Sequence, residues 1–392
     1  MTTENENRFP DLVELDALRL TVIVDNEVDF MTSVPRDLGH TTQAQSLFKD
    51  HRRLDKDRTT VSSGNDHTHS HAHATEGDKD DASKREMTTV LKCETTRHTG
   101  VKDNKEHKVL FDTGPHSAIF LENAKRLEIE FEKIEVIVLS HWHIDHSGGM
   151  LAAVERCQQA RQQQQQGSAS PVVLDLHPDR PDERGICLTR PSPPGSTTHE
   201  QSMEYVAWGK DPSFSALESA GGQVSKNAEA HTICESYFGV SGTIPRRTTY
   251  ETGLPNHVRW SDTSKSWTSE QEIMDERYLV ARVRSKGLVV LTGCSHAGVI
   301  NVCQDVQRAF GAGNEKDNNI FFVVGGFHLA GGSMESRIEE TVKDMKEINP
   351  SYMAPGHCSG WRAKSALENA MTGKVVSLGV GSDFSITHHH DS

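Results

Sequence analysis

Between residues 141 and 146 the chain reads His-Trp-His-Ile-Asp-His, so four side chains able to bind a metal fall within six positions, directly behind the apolar run Ile134 to Leu139. Such a run reads as a buried β-strand. If it stays extended past Ser140, a period of two sends His141, His143 and Asp145 to one side and Trp142 and Ile144 to the other. Imidazole nitrogens and a carboxylate oxygen would then converge as a zinc-type site with a position left open for water. Gly148 and Gly149 permit close backbone approach before Met150 to Arg161, which reads as a helix whose positive end would face the site. A surface cluster of histidines would need none of this order. Strand, ligand run and glycine pair together favour a site that does chemistry.

The rest of the composition sets bounds. The chain has 392 residues, but low-complexity segments reduce the foldable part to roughly 280, the size of one large α/β domain. A formal net charge of −14 disfavours nucleic-acid binding, which needs a basic surface to displace counterions from phosphates. No window approaches the length of apolar sequence that spans a membrane, and Met1 to Pro10 lacks the basic and apolar regions of a signal peptide. Seven cysteines without a repeating spacing do not form a disulfide framework. The expectation is a cytoplasmic protein in a reducing compartment, acting on a small molecule, without nucleic-acid or membrane partners. Oligomeric state is not legible.

Along the chain, residues 1–17 read as a tail and 18–386 as one domain, followed by a tail at 387–392. Leu18 to Val24 reads as the first strand. From about 34 to 87 the sequence is charged, rich in Ser and Thr and poor in aliphatics, which reads as a disordered insertion. It carries the alternating tract His67, His69, His71 and His73, read as a solvated loop outside the active site. Order returns at Thr88 to Cys93 and at Val109 to Phe111, which ends in Asp112-Thr113-Gly114. Aspartic proteases use this triplet twice to share a proton, and a single copy excludes that mechanism. Long loops are expected at about 162–170 and 179–277. Further strands read at Pro171 to Leu176, Tyr278 to Val283, Leu288 to Leu291, Ile320 to Val324 and Tyr352 to Ala354, with Val375 to Leu378 closing the chain. Strands in two groups, each followed by helices, predict two sheets packed face to face with helices outside, an α/β fold of the αββα sandwich type.

Three motifs in the second half each put a histidine just past an apolar strand: Gly293-Cys294-Ser295-His296, Gly325-Gly326-Phe327-His328 and Pro355-Gly356-His357-Cys358. Strand ends of α/β proteins are where functional groups gather. With the His141 motif, with Val24-Asp25-Asn26, Phe111-Asp112-Thr113-Gly114 and Ser241-Gly242-Thr243-Ile244-Pro245-Arg246, the chain resembles the metallo-β-lactamase superfamily over about residues 18 to 386. The wording is similar to one branch, metal-dependent hydrolases related to an archaeal dihydropterin ribofuranosyl-aminobenzene phosphate synthase.

The resemblance implies that two divalent ions are bound, Zn2+ by preference and Mn2+ or Fe2+ as further possibilities. His141 and His143 would hold the first, Asp145 and His146 the second, and His357 would fill the late position on the second. His296 stands as the middle ligand. Cys294 stands where many superfamily members place a bridging aspartate. It reads either as a thiolate ligand or as a small buried hydrophobe. Asp25 and Asp112 would support the ligands from behind. Asp145 would also accept a proton, and His328 would face substrate or transfer a proton, with a structural role as its alternative. Arg246 suits a phosphate or carboxylate, or is merely solvated. His177 is a weaker candidate for the middle ligand.

The reading that follows is a hydrolase using metal-activated water on a small, anionic or phosphorylated metabolite. A synthase or transferase of pterin-like phosphate metabolites is the alternative implied by the archaeal relative. A non-catalytic metal-binding scaffold is the third, because fold alone does not fix function.

Overall fold

The computed structural model describes residues 7–25, 38, 95–164, 170–190, 202–310 and 318–388. Two seven-stranded sheets face each other. In the first, Asp383–Thr387, Ala17–Val24, Thr95–Lys102 and Lys105–Phe111 run antiparallel in that spatial order, and Ile134–Val138, Val172–Leu176 and Gly222–Lys226 extend it in parallel. Asp103 and Asn104 join two of these strands in a two-residue turn, both with positive φ, the hairpin geometry that Asp and Asn tolerate. In the second sheet, His231–Ile233, Phe238–Val240, Leu279–Val283 and Gly287–Thr292 run antiparallel, and Ile320–Gly326 and Tyr352–Gly356 continue in parallel. Glu14–Leu15 pairs alongside Leu279–Val283.

Alternation along the strands builds the layers. Val109, Phe111, Val136 and Val138 point between the sheets and meet Phe238, Leu279, Ala281, Val289, Leu291 and Val324. Leu110 and Ile137, one residue out of phase, pack instead under the helices Ser117–Arg126 and Met150–Gln164 through Phe120, Ala124, Val154 and Cys157. On the far side, Val280, Val290 and Val323 meet Val302, Val306, Met345 and Leu367 from the helices Val299–Ala309, Ile338–Ile348 and Trp361–Ala370. Each fully buried aliphatic side chain contributes roughly 1.5–3 kcal/mol, so period-two patterning is what assembles the four layers. The expected αββα sandwich is borne out.

Several expectations are corrected. The span 179–277 is no loop: Glu183–Arg190, Ser202–Gly209, His257–Ser261 and Ser266–Ser269 form a separate four-stranded antiparallel sheet. Its strands carry Ser, Thr and half-buried or exposed aromatics rather than continuous aliphatic runs, so they lack the signal of a buried strand. The chain closes with Asp383–Thr387, whereas Val375 makes only one isolated bridge to Met353. Residues 34–87, with the histidine tract, lie outside the described residues except Leu38, which is buried between the sheets. Thr88 to Cys93 also lie outside them. Met150–Gln164 runs further than expected, and residues 165–169 of the expected loop are outside the description. Among the described residues no helix is long and apolar enough to cross a membrane.

Candidate metal centre

Five strands deliver the site from their carboxyl ends. Just past four of those ends sits a residue in the left-handed backbone region: Asp112, Ser295, His328 and His357, with φ of 60°, 58°, 47° and 46°. Such strain, on the order of 1–3 kcal/mol per residue, persists only where surrounding contacts impose it and is concentrated at functional sites.

After Ile134–Val138 the chain stays extended only as far as His143 (φ −126°, ψ 142°). Ile144–Ser147 is then a single helical turn, so Asp145 and His146 reach the site from a helix rather than from a continued strand. The turn is imposed from outside. Thr113 N–H donates to the His146 carbonyl at 2.8 Å, and Gly149 N–H donates to the Gly114 carbonyl at 3.0 Å. A Cβ on Gly149 would stand 2.3 Å from the Thr113 carbonyl oxygen, so only glycine lets the loop close against the Asp112 turn. Trp142 points to the opposite side, fully buried, with its indole N–H on the His177 carbonyl.

His141 Nε2, His143 Nδ1 and His296 Nε2 converge, with pairwise separations of 2.9, 3.1 and 3.2 Å. Beside them lie the donors of Asp145, His146, Cys294 and His357. His146 Nε2 is 3.1 Å from Cys294 Sγ, which is 3.0 Å from His357 Nε2, and Asp145 Oδ2 is 3.5 Å from His357 Nε2. Cys294 Sγ belongs to both donor sets: it lies within 4.8 Å of the first through His141 and His296, and of the whole second set. A Cβ on Gly293 would meet Ser140 Oγ at 2.3 Å, so glycine there allows Cys294 to approach the histidine loop.

These donors fit divalent ions. Ser140 Oγ donates to Asp112 Oδ2 at 2.8 Å and therefore accepts from His141 Nδ1 at 2.9 Å, which leaves the His141 Nε2 lone pair facing the centre. His146 Nδ1 donates to Asp112 Oδ2 at 2.6 Å, leaving its Nε2 toward Cys294. Tetrahedral ligands at zinc–nitrogen distances of about 2.0–2.1 Å stand roughly 3.3 Å apart, close to the separations seen. Burial first, and neighbouring imidazoles second, hold His141, His143 and His296 well below their ordinary value, which favours the neutral form that binds metal. Burial opposes the charge on Asp145, but the His146 and His357 imidazoles outweigh it and keep the carboxyl below its usual range.

The residues expected to support the ligands make the following contacts. Asp112 is fully buried and holds Ser140 and His146. Asp25 Oδ1 accepts the backbone N–H of His357 at 3.0 Å. His328 lies beside His296, ring centroids 4.4 Å apart, and both its ring nitrogens are buried without a hydrogen-bond partner. Arg246 is placed differently. Its guanidinium donates to the backbone carbonyls of Ile244, at 2.7 Å, and Glu272, so it braces its own loop. His177 accepts the Asp179 N–H and stays out of both donor sets.

Two supports were not legible in the sequence. Glu276, fully buried, accepts the backbone N–H groups of His296 and Ala297 at 2.7 and 2.6 Å. His257, at the start of a strand of the four-stranded sheet, places Nε2 3.0 Å from His143 Nε2. Burial, with the Arg184 charge second, pushes its imidazole down to about 4. A lone histidine opening a short strand carries no motif. The sheet itself is tied to the centre by Arg184, which donates to the Trp142 carbonyl at 2.6 Å and pairs with Asp275 and Glu270.

The family model of the metallo-beta-lactamase superfamily matches residues 99–160, the stretch that carries the Asp112 turn and the His141 loop. The chain is 24% identical over 277 residues to the 7,8-dihydropterin-6-methyl-4-(β-D-ribofuranosyl)-aminobenzene-5'-phosphate synthase of Methanocaldococcus jannaschii, covering 69% of this chain and 84% of that protein. It is 29% identical over 279 residues to an uncharacterized protein of the same archaeon, covering 68% and 86%. In fold it is similar to a solved metal-dependent hydrolase of the β-lactamase superfamily, with a TM-score of 0.53, 24% identity, and coverage of 74% of this chain and 90% of that one. Fold, histidine loop and matched family model agree: residues 99–160 match the metallo-β-lactamase superfamily, and the fold around them is of the metallo-β-lactamase type.

Proposed function

We propose that this protein is a metal-dependent hydrolase of a small anionic or phosphorylated metabolite, with two divalent ions, zinc by preference, held by His141, His143 and His296 on one side and Asp145, His146 and His357 on the other. Cys294 lies between them as the shared ligand. The observation that carries this reading is the convergence of both donor sets on one sulfur. Ions bound there would supply Lewis acidity and an activated water.

The chain's own groups do the rest. Asp145, kept ionised by His146 and His357, would ligate through one carboxylate oxygen and accept a proton on the other. Asp112 and Ser140 fix the His141 and His146 imidazoles in place, so the site needs little reorganisation. His328, packed against His296 and close to Cys294 and Cys358, is the residue proposed to bind or protonate a substrate oxygen.

A synthase of pterin-like phosphate metabolites is the second reading, favoured by the similarity to the archaeal synthase. Incubation of a metabolite extract with metal-loaded protein, against an Asp145→Asn control, tests both. Depletion of a compound with water added to its product supports hydrolysis. A product joined from two metabolites supports the synthase instead, and no compound turned over by wild type alone would leave a metal-binding scaffold.

A further inference from the structure

The geometry points to a role for His257 that lies outside every motif of the superfamily loop: we propose that it is a positioning residue which sets the tautomer of His143. The inference rests on the reading of His141, His143 and His296 as a metal set.

His257 Nδ1 lies 2.8 Å from the backbone carbonyl of Glu270, an atom that can only accept. His257 Nδ1 therefore carries a hydrogen. A neutral imidazole has only one N–H, so His257 Nε2 is an acceptor. Facing it at 3.0 Å is His143 Nε2, which must then donate. That leaves the His143 Nδ1 lone pair toward His141 Nε2 and His296 Nε2.

The opposite tautomer would set two lone pairs against each other at 3.0 Å in a place shielded from water. It would also aim an N–H from His143 at His141 Nε2, closing a hydrogen bond where a cation must bind. His257 is itself locked. The Glu270 N–H returns a bond to the His257 carbonyl at 3.0 Å, and Arg184 holds the Glu270 carboxylate through two bonds of 2.8 Å. Trp208 packs against both rings, its centroid 5.2 Å from His143 and 5.3 Å from His257, covering the contact. The four-stranded sheet is therefore a working part of the metal centre and not a decoration at its mouth.

Partners that orient a ligating histidine typically contribute about 10–100-fold to metal affinity. The test compares full-length wild type, His257→Phe and His257→Gln, titrated with zinc against a chromophoric chelator, with apo-protein melting as the folding control. Phenylalanine keeps the ring volume and removes the acceptor, while the glutamine amide oxygen can restore it. The expected result is that one of two ions weakens about 10–100-fold in His257→Phe and that His257→Gln recovers most of the loss. Unchanged affinities in His257→Phe, or no recovery in His257→Gln, would overturn the proposal. A wild type that binds no ion would overturn the metal reading itself, a separate outcome. In zinc-loaded wild type with nitrogen-15 histidine, assigned from through-bond and through-space contacts without any variant, His257 must show hydrogen on Nδ1 only and His143 hydrogen on Nε2 only; hydrogen on His143 Nδ1 would overturn the proposal.

Discussion

Across 148 residues of sequence, the Cys294 thiol meets His146 Nε2 at 3.1 Å. Few other contacts of the site bind its two halves as directly, because His146 hangs from the first sheet and Cys294 from the second. If the thiolate ligates, a cobalt-substituted protein shows a sulfur-to-metal charge-transfer band that Cys294→Ser abolishes. Cys303, buried in the helix Val299–Ala309, serves as the control. Absence of the band in wild type would make Cys294 a packing residue and leave His296 as the ligand from its motif.

Asp112 supports both His146 and, through Ser140, His141. Asparagine in its place would offer an N–H to His146 Nδ1 and reverse the ring's proton. Asp112→Asn is expected to weaken metal binding by about 10–100-fold. Chelator competition measures it, and wild-type affinity would show that the buried carboxylate serves folding alone.

Arg184, 1% exposed, pairs with Asp275, 0% exposed, at 2.6 Å. Removing one partner strands the other charge in a dry interior. Arg184→Met should cost about 3–5 kcal/mol in unfolding free energy. Urea denaturation gives the value directly, and a loss below about 1 kcal/mol, the range of exposed pairs, would mean that the sheet is not anchored by this arginine.

His231 Nε2 lies 2.7 Å from Asp175 Oδ2. Burial opposes protonation of His231, but the hydrogen bond and charge of Asp175 prevail and raise its value above 6.5. The folded chain then holds this proton more tightly than the unfolded one. The stabilisation is full below 6.5 and fades as pH rises through the folded value. The stability difference between wild type and His231→Gln should accordingly shrink from about pH 6 to about pH 9, the side of the ordinary histidine value where the proton is lost. A difference that stays flat or grows across that interval contradicts the assignment.

The sandwich and the histidine loop were legible because both rest on short-range signals. Val109, Leu110 and Phe111 alternate between two cores, and His141, His143, His296 and His357 each stand just past an apolar strand. The extended reading failed at Ile144, since a four-residue turn has no periodicity to detect and is imposed by the distant Thr113 amide and Gly114 carbonyl. The four-stranded sheet was missed although Met203, Tyr205 and Ala207 are exposed in alternation, a period-two signal that polar residues and an unread partner strand obscured. His257 was beyond reach for the same reason. Its significance comes from His143, which lies 114 residues away and on another sheet. Arg246 looked like an anion binder from its motif, but its partners are the backbone carbonyls of Ile244 and Glu272.

The central claim is that His141, His143 and His296 hold one ion and Asp145, His146 and His357 another. Elemental analysis of protein dialysed to equilibrium tests it most directly, with His67, His69, His71 and His73 replaced by serine in every sample so that the tract adds no counts. The account predicts about two zinc-like ions per wild-type chain and about one fewer in His141→Ala, His143→Ala. The same metal content in both proteins would contradict it.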